Sequence, residues 1–218
     1  MHDNDAVGRH RTVEITDSEF RLLFVCTGNI CRSPFAEILT RHLLAERLGR
    51  RVAARFRVSS AGVHAVVGAA MHPDSRAQLV PWGLHGAAEG FVARQLRSAI
   101  ATSAHLVLGA SPEHRSAVIG RAPATLATAF ALAEFARLVS AVDPGDLPLD
   151  PVARAHAVVE EARARRGLLP PVTADHDRIP DPIVGDADAH RRSSTLIRTA
   201  VLRIVDAIAP ESVAARPG

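Results

Sequence analysis

The chain has 218 residues, 47% of them hydrophobic, and a net charge of +3 in which every basic residue other than histidine is arginine. That length suits one α/β domain with a sizeable core. No apolar run reaches the roughly 18 residues of a membrane-spanning helix, and residues 1–19 lack the apolar centre of a secretory signal, so no membrane insertion is expected and a cytoplasmic location follows by default. Arginine is spread along the chain without dense runs and no basic–aromatic module appears, so no nucleic-acid partner is expected. Cys26 and Cys31 share one short stretch; they supply neither a disulfide framework nor a four-cysteine zinc site, and neither a metal nor a cofactor is expected.

In chain order, residues 1–19 read as a flexible tail. Leu22-Leu23-Phe24-Val25 is an apolar run ending at Cys26, a buried strand over about 21–26. It feeds a tight turn and then a helix from Ser33 to about Leu48, with Phe35, Ile38, Leu39, His42, Leu43 and Leu44 as its inward stripe. A second strand is expected near 55–60, and a helix after His72-Pro73-Asp74 that ends at Gly83. A third strand occupies about 104–109, and Ser111-Pro112-Glu113 opens another helix with serine as cap. Residues 128–142 and 151–166 carry helical spacing on either side of Asp143-Pro144-Gly145-Asp146. The last helix, about 193–208, has Leu196, Ile197, Ala200, Val201, Ile204, Val205 and Ile208 facing inward, and residues 211–218 form a second tail. Alternating strands and helices predict a three-layer, doubly wound sheet of about four parallel strands, with ligands at the strand C-termini. Cys26 falls at such an end.

A thiol there sits above a helix N-terminus, where backbone N–H groups and the macrodipole favour negative charge. The N–H groups of Thr27, Gly28, Asn29, Ile30, Cys31 and Arg32 suit a phosphate or arsenate dianion, and the planar, permanently charged guanidinium of Arg32 suits its oxygens. Gly28 and Asn29 tolerate positive φ in a tight anion-binding loop. Ser33 is suited to cap the helix and direct its hydroxyl at the Cys26 sulfur. Pro34 suits the first helical turn. The setting lowers a thiol pKa and makes Cys26 the candidate nucleophile.

The segment Val25-Cys26-Thr27-Gly28-Asn29-Ile30-Cys31-Arg32-Ser33-Pro34 closely resembles the signature of the low-molecular-weight protein tyrosine phosphatases. Ser59-Ser60-Ala61-Gly62, Ala93-Arg94-Gln95-Leu96 and Ile179-Pro180-Asp181-Pro182 resemble further motifs of that family, in its order. The resemblance covers about 20–120 and 178–208, within one domain over 20–210, and leaves about 122–177 as a helical insertion packed beside the face of the catalytic loop and offering a possible partner surface. It implies a metal-independent phosphomonoester hydrolase that acts on a phosphotyrosine protein or another aryl phosphate through a phosphocysteine on Cys26. Arg32 would hold the phosphoryl group, and Asp181 would be general acid and then base, ahead of Asp175, Asp177, Asp186 and Asp188. Asn29 would fix the loop by bonding Ser60, Ser33 would help deliver the thiolate, and Cys31 matches a second loop cysteine able to form a reversible disulfide with the nucleophile.

The chain departs from the family where aromatics commonly line the cleft: Val66, Ile183 and Val184 stand there, there is no tyrosine, and Phe91 replaces a histidine of the loop network. The scattered histidines, among them His72, His85, His114, His176 and His190, read as surface or capping residues. Two other functions share the loop. An arsenate reductase would need an external thiol, since Cys31 is the only other cysteine, and a phosphate-binding scaffold would bind without turnover.

Overall fold

The computed structural model describes residues 19–168, 172–173 and 175–211; the two expected tails lie outside these, apart from Glu19 and Glu211. Four parallel strands form one sheet in the order β2-β1-β3-β4: β1 (Phe20–Cys26), β2 (Phe56–Gly62), β3 (Leu106–Gly109) and β4 (Ala129–Ala131). Period-2 alternation divides β1 between two cores. Phe20, Leu22, Phe24 and Cys26 face one side, packed with α1 (Arg32–Ala53), α5 (Leu132–Val139), α6 (Pro151–Arg165) and α7 (Ala187–Ile208). Leu23 and Val25 face the other side with Leu96, Ala101, Val118 and Ala122, which belong to α3 (Ser98–Thr102), α4 (Pro112–Arg121) and the segments flanking them. The three-layer parallel architecture is the expected one.

Helix α1 runs unbroken to Gly49, whose φ of 72° breaks the regular helix one residue past the expected end, and a further turn follows to Ala53. Its expected stripe is buried except His42, which is half-buried, meets Trp82 edge-on and pairs with Glu46. The helix after His72, α2 (Pro73–Ala77), is short; a 3-10 turn at Val80–Trp82 then leads to Gly83 in the left-handed region, because Pro81 disfavours continuing the α-helix through Val80. Helix α7 starts earlier than the pattern predicts, capped by Asp186, whose side chain accepts from the Ala189 N–H. Of its expected inner residues, Leu196 faces out at 46% exposure, whereas Ile197, Ala200, Val201, Ile204, Val205 and Ile208 are buried. Each large aliphatic of that stripe contributes about 1.5–3 kcal/mol.

The region expected as a purely helical insertion contains β4. Ala129-Phe130-Ala131 has little intrinsic strand preference, and it is held extended by its ladder to Val107, Leu108 and Gly109. Helix α6 of this region does not pack beside the loop that follows Cys26. Asp150, the cap of α6, pairs with Arg55 at the start of β2 at 2.7 Å; His156 meets the rings of Phe20 and His105 at 5.0 and 4.8 Å; and Arg166, just past the helix, donates to the Ala129 carbonyl at 2.8 Å with its guanidinium 3.8 Å over Phe130. Helix α6 therefore crosses beneath the N-terminal ends of all four strands, the pole opposite Cys26.

Candidate active site

Strand β1 delivers Cys26 to the C-terminal edge of the sheet, and the chain turns through 27–31 into α1. Gly62, level with Cys26 on β2, lets this loop sit close: a Cβ there would lie 2.5 Å from the Thr27 carbonyl oxygen and 3.0 Å from Ala65. Both obstacles are near the backbone and cannot swing aside. Gly62→Ala is expected to cost about 1–3 kcal/mol, read as a lower urea midpoint.

Asn29 is the only non-glycine residue with positive φ among the described residues, at 57°, and is fully buried. Its side chain holds the loop: Nδ2 donates to Ser33 Oγ at 2.9 Å and Ser60 Oγ at 2.8 Å, and Oδ1 accepts from the Arg94 N–H at 2.9 Å. Ser60 donates onward to buried Glu37 at 2.6 Å, which pairs with Arg41 at 2.7 Å. The predicted Asn29–Ser60 bond is present. Gly28 does not have positive φ; a Cβ there would meet Ile30 and Val66 at ordinary contact distances. Ser33 does not cap the helix, since Cys31 occupies the cap position. Its hydroxyl lies 3.0 Å from Cys26 Sγ instead. Among the described residues, the N–H groups of Thr27 to Arg32 donate to no protein acceptor, an arrangement that buried backbone rarely tolerates unless it binds an anion.

Arg32 is buried and its terminal nitrogens reach the Ile179 carbonyl and Thr27 Oγ1, both at 3.2 Å, and Asp181 Oδ2 at 2.5 Å, while its Nε has no partner. Of the five candidate acids only Asp181 lines the pocket. Asp175 pairs with Arg178, Asp177 with Arg137 and Asp188 with Arg191, and Asp186 caps α7. The pocket, about 210 Å³, is lined by Cys26, Gly28, Ile30, Arg32 and Asp181, with Val66 and Ile183 among its apolar walls. Val184 is fully exposed outside it. Both cysteines are unbridged, and burial pushes the Cys31 thiol up to about 11.

His114 was not singled out by its sequence setting, and it is neither surface nor cap. It is buried, with Nε2 3.0 Å from Thr27 Oγ1 and Nδ1 2.7 Å from Ser111 Oγ, so Ser111 braces this ring instead of capping α4. The only sequence clue is its place in the first turn after Ser111-Pro112. Burial, and then the charge of Arg32, push its pKa down to about 4 from 6.5. Between those values the unfolded chain binds the proton more readily, so stability is full above 6.5 and is lost as pH falls toward 4. His114→Gln is expected to remove up to about 3 kcal/mol of that acid-side loss, measured as urea stability against pH.

His190 is also buried, contrary to expectation, whereas His72 caps α2 by accepting from the Asp74 N–H, and His85 and His176 are exposed.

The profile of the low molecular weight phosphotyrosine protein phosphatases matches residues 21–165. The chain belongs to this family. It is 37% identical over 103 residues to the low molecular weight protein-tyrosine-phosphatase Etp of Escherichia coli K12, a match spanning 47% of this chain and 62% of that relative. It is 32% identical over 128 residues to a protein-arginine-phosphatase of Geobacillus stearothermophilus, spanning 59% of this chain and 76% of that protein. In fold it matches the crystal structure of the Erwinia amylovora tyrosine phosphatase AmsI with a TM-score of 0.57 and 21% identity, covering 86% of this chain and 92% of the other.

Proposed function

We infer that the protein is a phosphomonoester hydrolase acting on phosphotyrosine or a related aryl phosphate, in the cytoplasm, through a phosphocysteine intermediate. One observation carries this reading: the buried Cys26 sulfur lies 3.0 Å from a serine hydroxyl, in a loop of unpaired amides, beside a buried guanidinium with one nitrogen unpartnered and an acid at the same mouth. These groups suit a trigonal phosphoryl group and its developing charge.

In the first step the Cys26 thiolate attacks phosphorus, the bond from phosphorus to the leaving oxygen breaks, and the Asp181 carboxylic acid gives that oxygen its proton. In the second step the Asp181 carboxylate takes a proton from water, whose oxygen attacks phosphorus. The sulfur–phosphorus bond breaks, releasing inorganic phosphate and the thiolate. Ser33 hydrogen-bonds the thiolate as it departs, and Arg32 holds the phosphoryl oxygens throughout.

The walls favour an aryl group. Ile30, Val66 and Ile183 are aliphatic, and the lining acid, Asp181, already pairs with Arg32. A phenyl ring gains from such burial, whereas a phosphoguanidine would leave polar N–H groups against apolar walls. The partner surface suggested for the inserted helices belongs to this reading as well, on α6 at the pole away from Cys26.

The test is release of para-nitrophenol from para-nitrophenyl phosphate in excess chelator, with the acid-quenched phosphoenzyme mapped by mass spectrometry to Cys26. Turnover that needs added divalent metal, or a phosphate found on another residue, would overturn it. A phosphotyrosine peptide is expected to give a higher kcat/KM than a phosphoarginine peptide of the same sequence.

A further inference from the structure

Beside the loop, three elements bring together side chains that are far apart in sequence. Cys31 caps α1, His72 caps α2, and His190 lies in the first turns of α7. The Cys31 sulfur and one ring nitrogen from each histidine all lie within 4.8 Å of one another. The imidazoles are stacked at 4.5 Å with an interplanar angle of 14°, and the His72 N–H donates to the Ile30 carbonyl at 2.8 Å, tying this corner to the loop.

His190 points to a ligand independently. It is 0% exposed; its Nδ1 lies 2.8 Å from Ser75 Oγ, and its Nε2 has no partner. The tautomer in which His190 Nδ1–H donates to Ser75 leaves a bare lone pair on Nε2. An unmet acceptor in a dry interior is costly. Metal-bound histidines have this arrangement: one nitrogen held by a hydrogen-bond acceptor, the other presented to the ion.

The geometry points to a binding site for a zinc-class divalent cation, with Cys31, His72 and His190 as ligands and one coordination position open. One thiolate and two imidazoles suit a borderline-soft ion better than magnesium or calcium, which prefer oxygen. Tetrahedral edges built on zinc–sulfur and zinc–nitrogen bonds are about 3.3–3.6 Å, so the ligand atoms close in by up to about 1.5 Å. The half-buried His72 ring turns out of its stack, giving up its bond from the Asp74 N–H, to aim its lone pair at the ion. On binding, the Cys31 thiol gives up its proton to solvent and its sulfur becomes a metal ligand. The hydrolysis uses the backbone N–H of Cys31 but neither its sulfur nor the two imidazoles, so the site stands whether or not the phosphatase reading does. It also gives Cys31 a role other than pairing with Cys26, since a metal-bound sulfur is withheld from a disulfide.

The test uses Co²⁺ alone, titrated into the full chain and into Cys26→Ser. One equivalent with a sulfur-to-cobalt charge-transfer band is expected in both, displaced by Zn²⁺. Cys31→Ser and His190→Gln are expected to lose the band, and Ser75→Ala to bind about 10- to 100-fold more weakly. In Cys26→Ser, Zn²⁺ is expected to protect Cys31 from alkylation, a readout that needs no ligand variant to fold. Absence of the band in the wild-type chain, its loss in Cys26→Ser, its survival in His190→Gln, or unprotected Cys31 would each overturn the site.

Discussion

Cys26→Ser is expected to lower para-nitrophenyl phosphate turnover by at least about 1000-fold, with the folded state intact. The hydroxyl matches the thiol in shape, and the contacts that hold the loop run through Asn29, Ser60 and Arg94, not through the sulfur. What is lost is nucleophilicity: a serine hydroxyl at neutral pH has almost no ionised fraction, and the hydrogen-bond partner at this position, the Ser33 hydroxyl at 3.0 Å, is no base. The measurement is steady-state turnover together with phosphate binding by calorimetry. Loss of turnover with binding retained is the expected pair. A rate within about tenfold of wild type would remove Cys26 from the chemistry.

Asp181→Asn is expected to reduce kcat by about 100- to 10,000-fold for phosphotyrosine and simple phenyl esters, and much less for para-nitrophenyl phosphate in the first step, whose leaving group departs without a proton. The dependence on leaving group separates a proton donor from a merely structural residue, because lost packing would slow all esters alike. Asparagine keeps the shape of the turn, in which Asp181 Oδ1 accepts from the Ile183 N–H at 3.3 Å. It gives up the ion pair with Arg32, whose exposed side on Asp181 limits its weight in stability. Equal slowing across leaving groups would point to loop disruption instead of proton transfer.

The loop and the neighbouring Asp181 stood out in the sequence because their signals are local. A strand, a tight turn and a helix start follow one another within the 20–35 segment, and Asp181-Pro182 needs no partner to be noticed. Placement by distant contacts was not legible. Ala129-Phe130-Ala131 reads as helix because alanine prefers one, and only the ladder to β3 makes it a strand. His114 is an ordinary first-turn residue until Thr27, from the other end of the domain, meets its ring. His72, His190 and Cys31 carry no shared spacing; the packing of α2 and α7 against the loop makes them neighbours. The inserted helices were visible as helices, yet the position of α6 at the lower pole is set by Asp150, His156 and Arg166 meeting strand starts, pairings that no periodicity encodes.

The course of α6 under all four strand starts gives the molecule a brace on its blind end. Sheet splaying there is resisted by an ion pair, two ring contacts and a guanidinium stack, none of which touches the loop that bears the thiol. Load applied at that end, by a bound protein or an attached label, would be taken up by a cross-member before reaching the reacting groups. No residue of α6 lines the pocket, which leaves its outward side free to acquire contacts of its own.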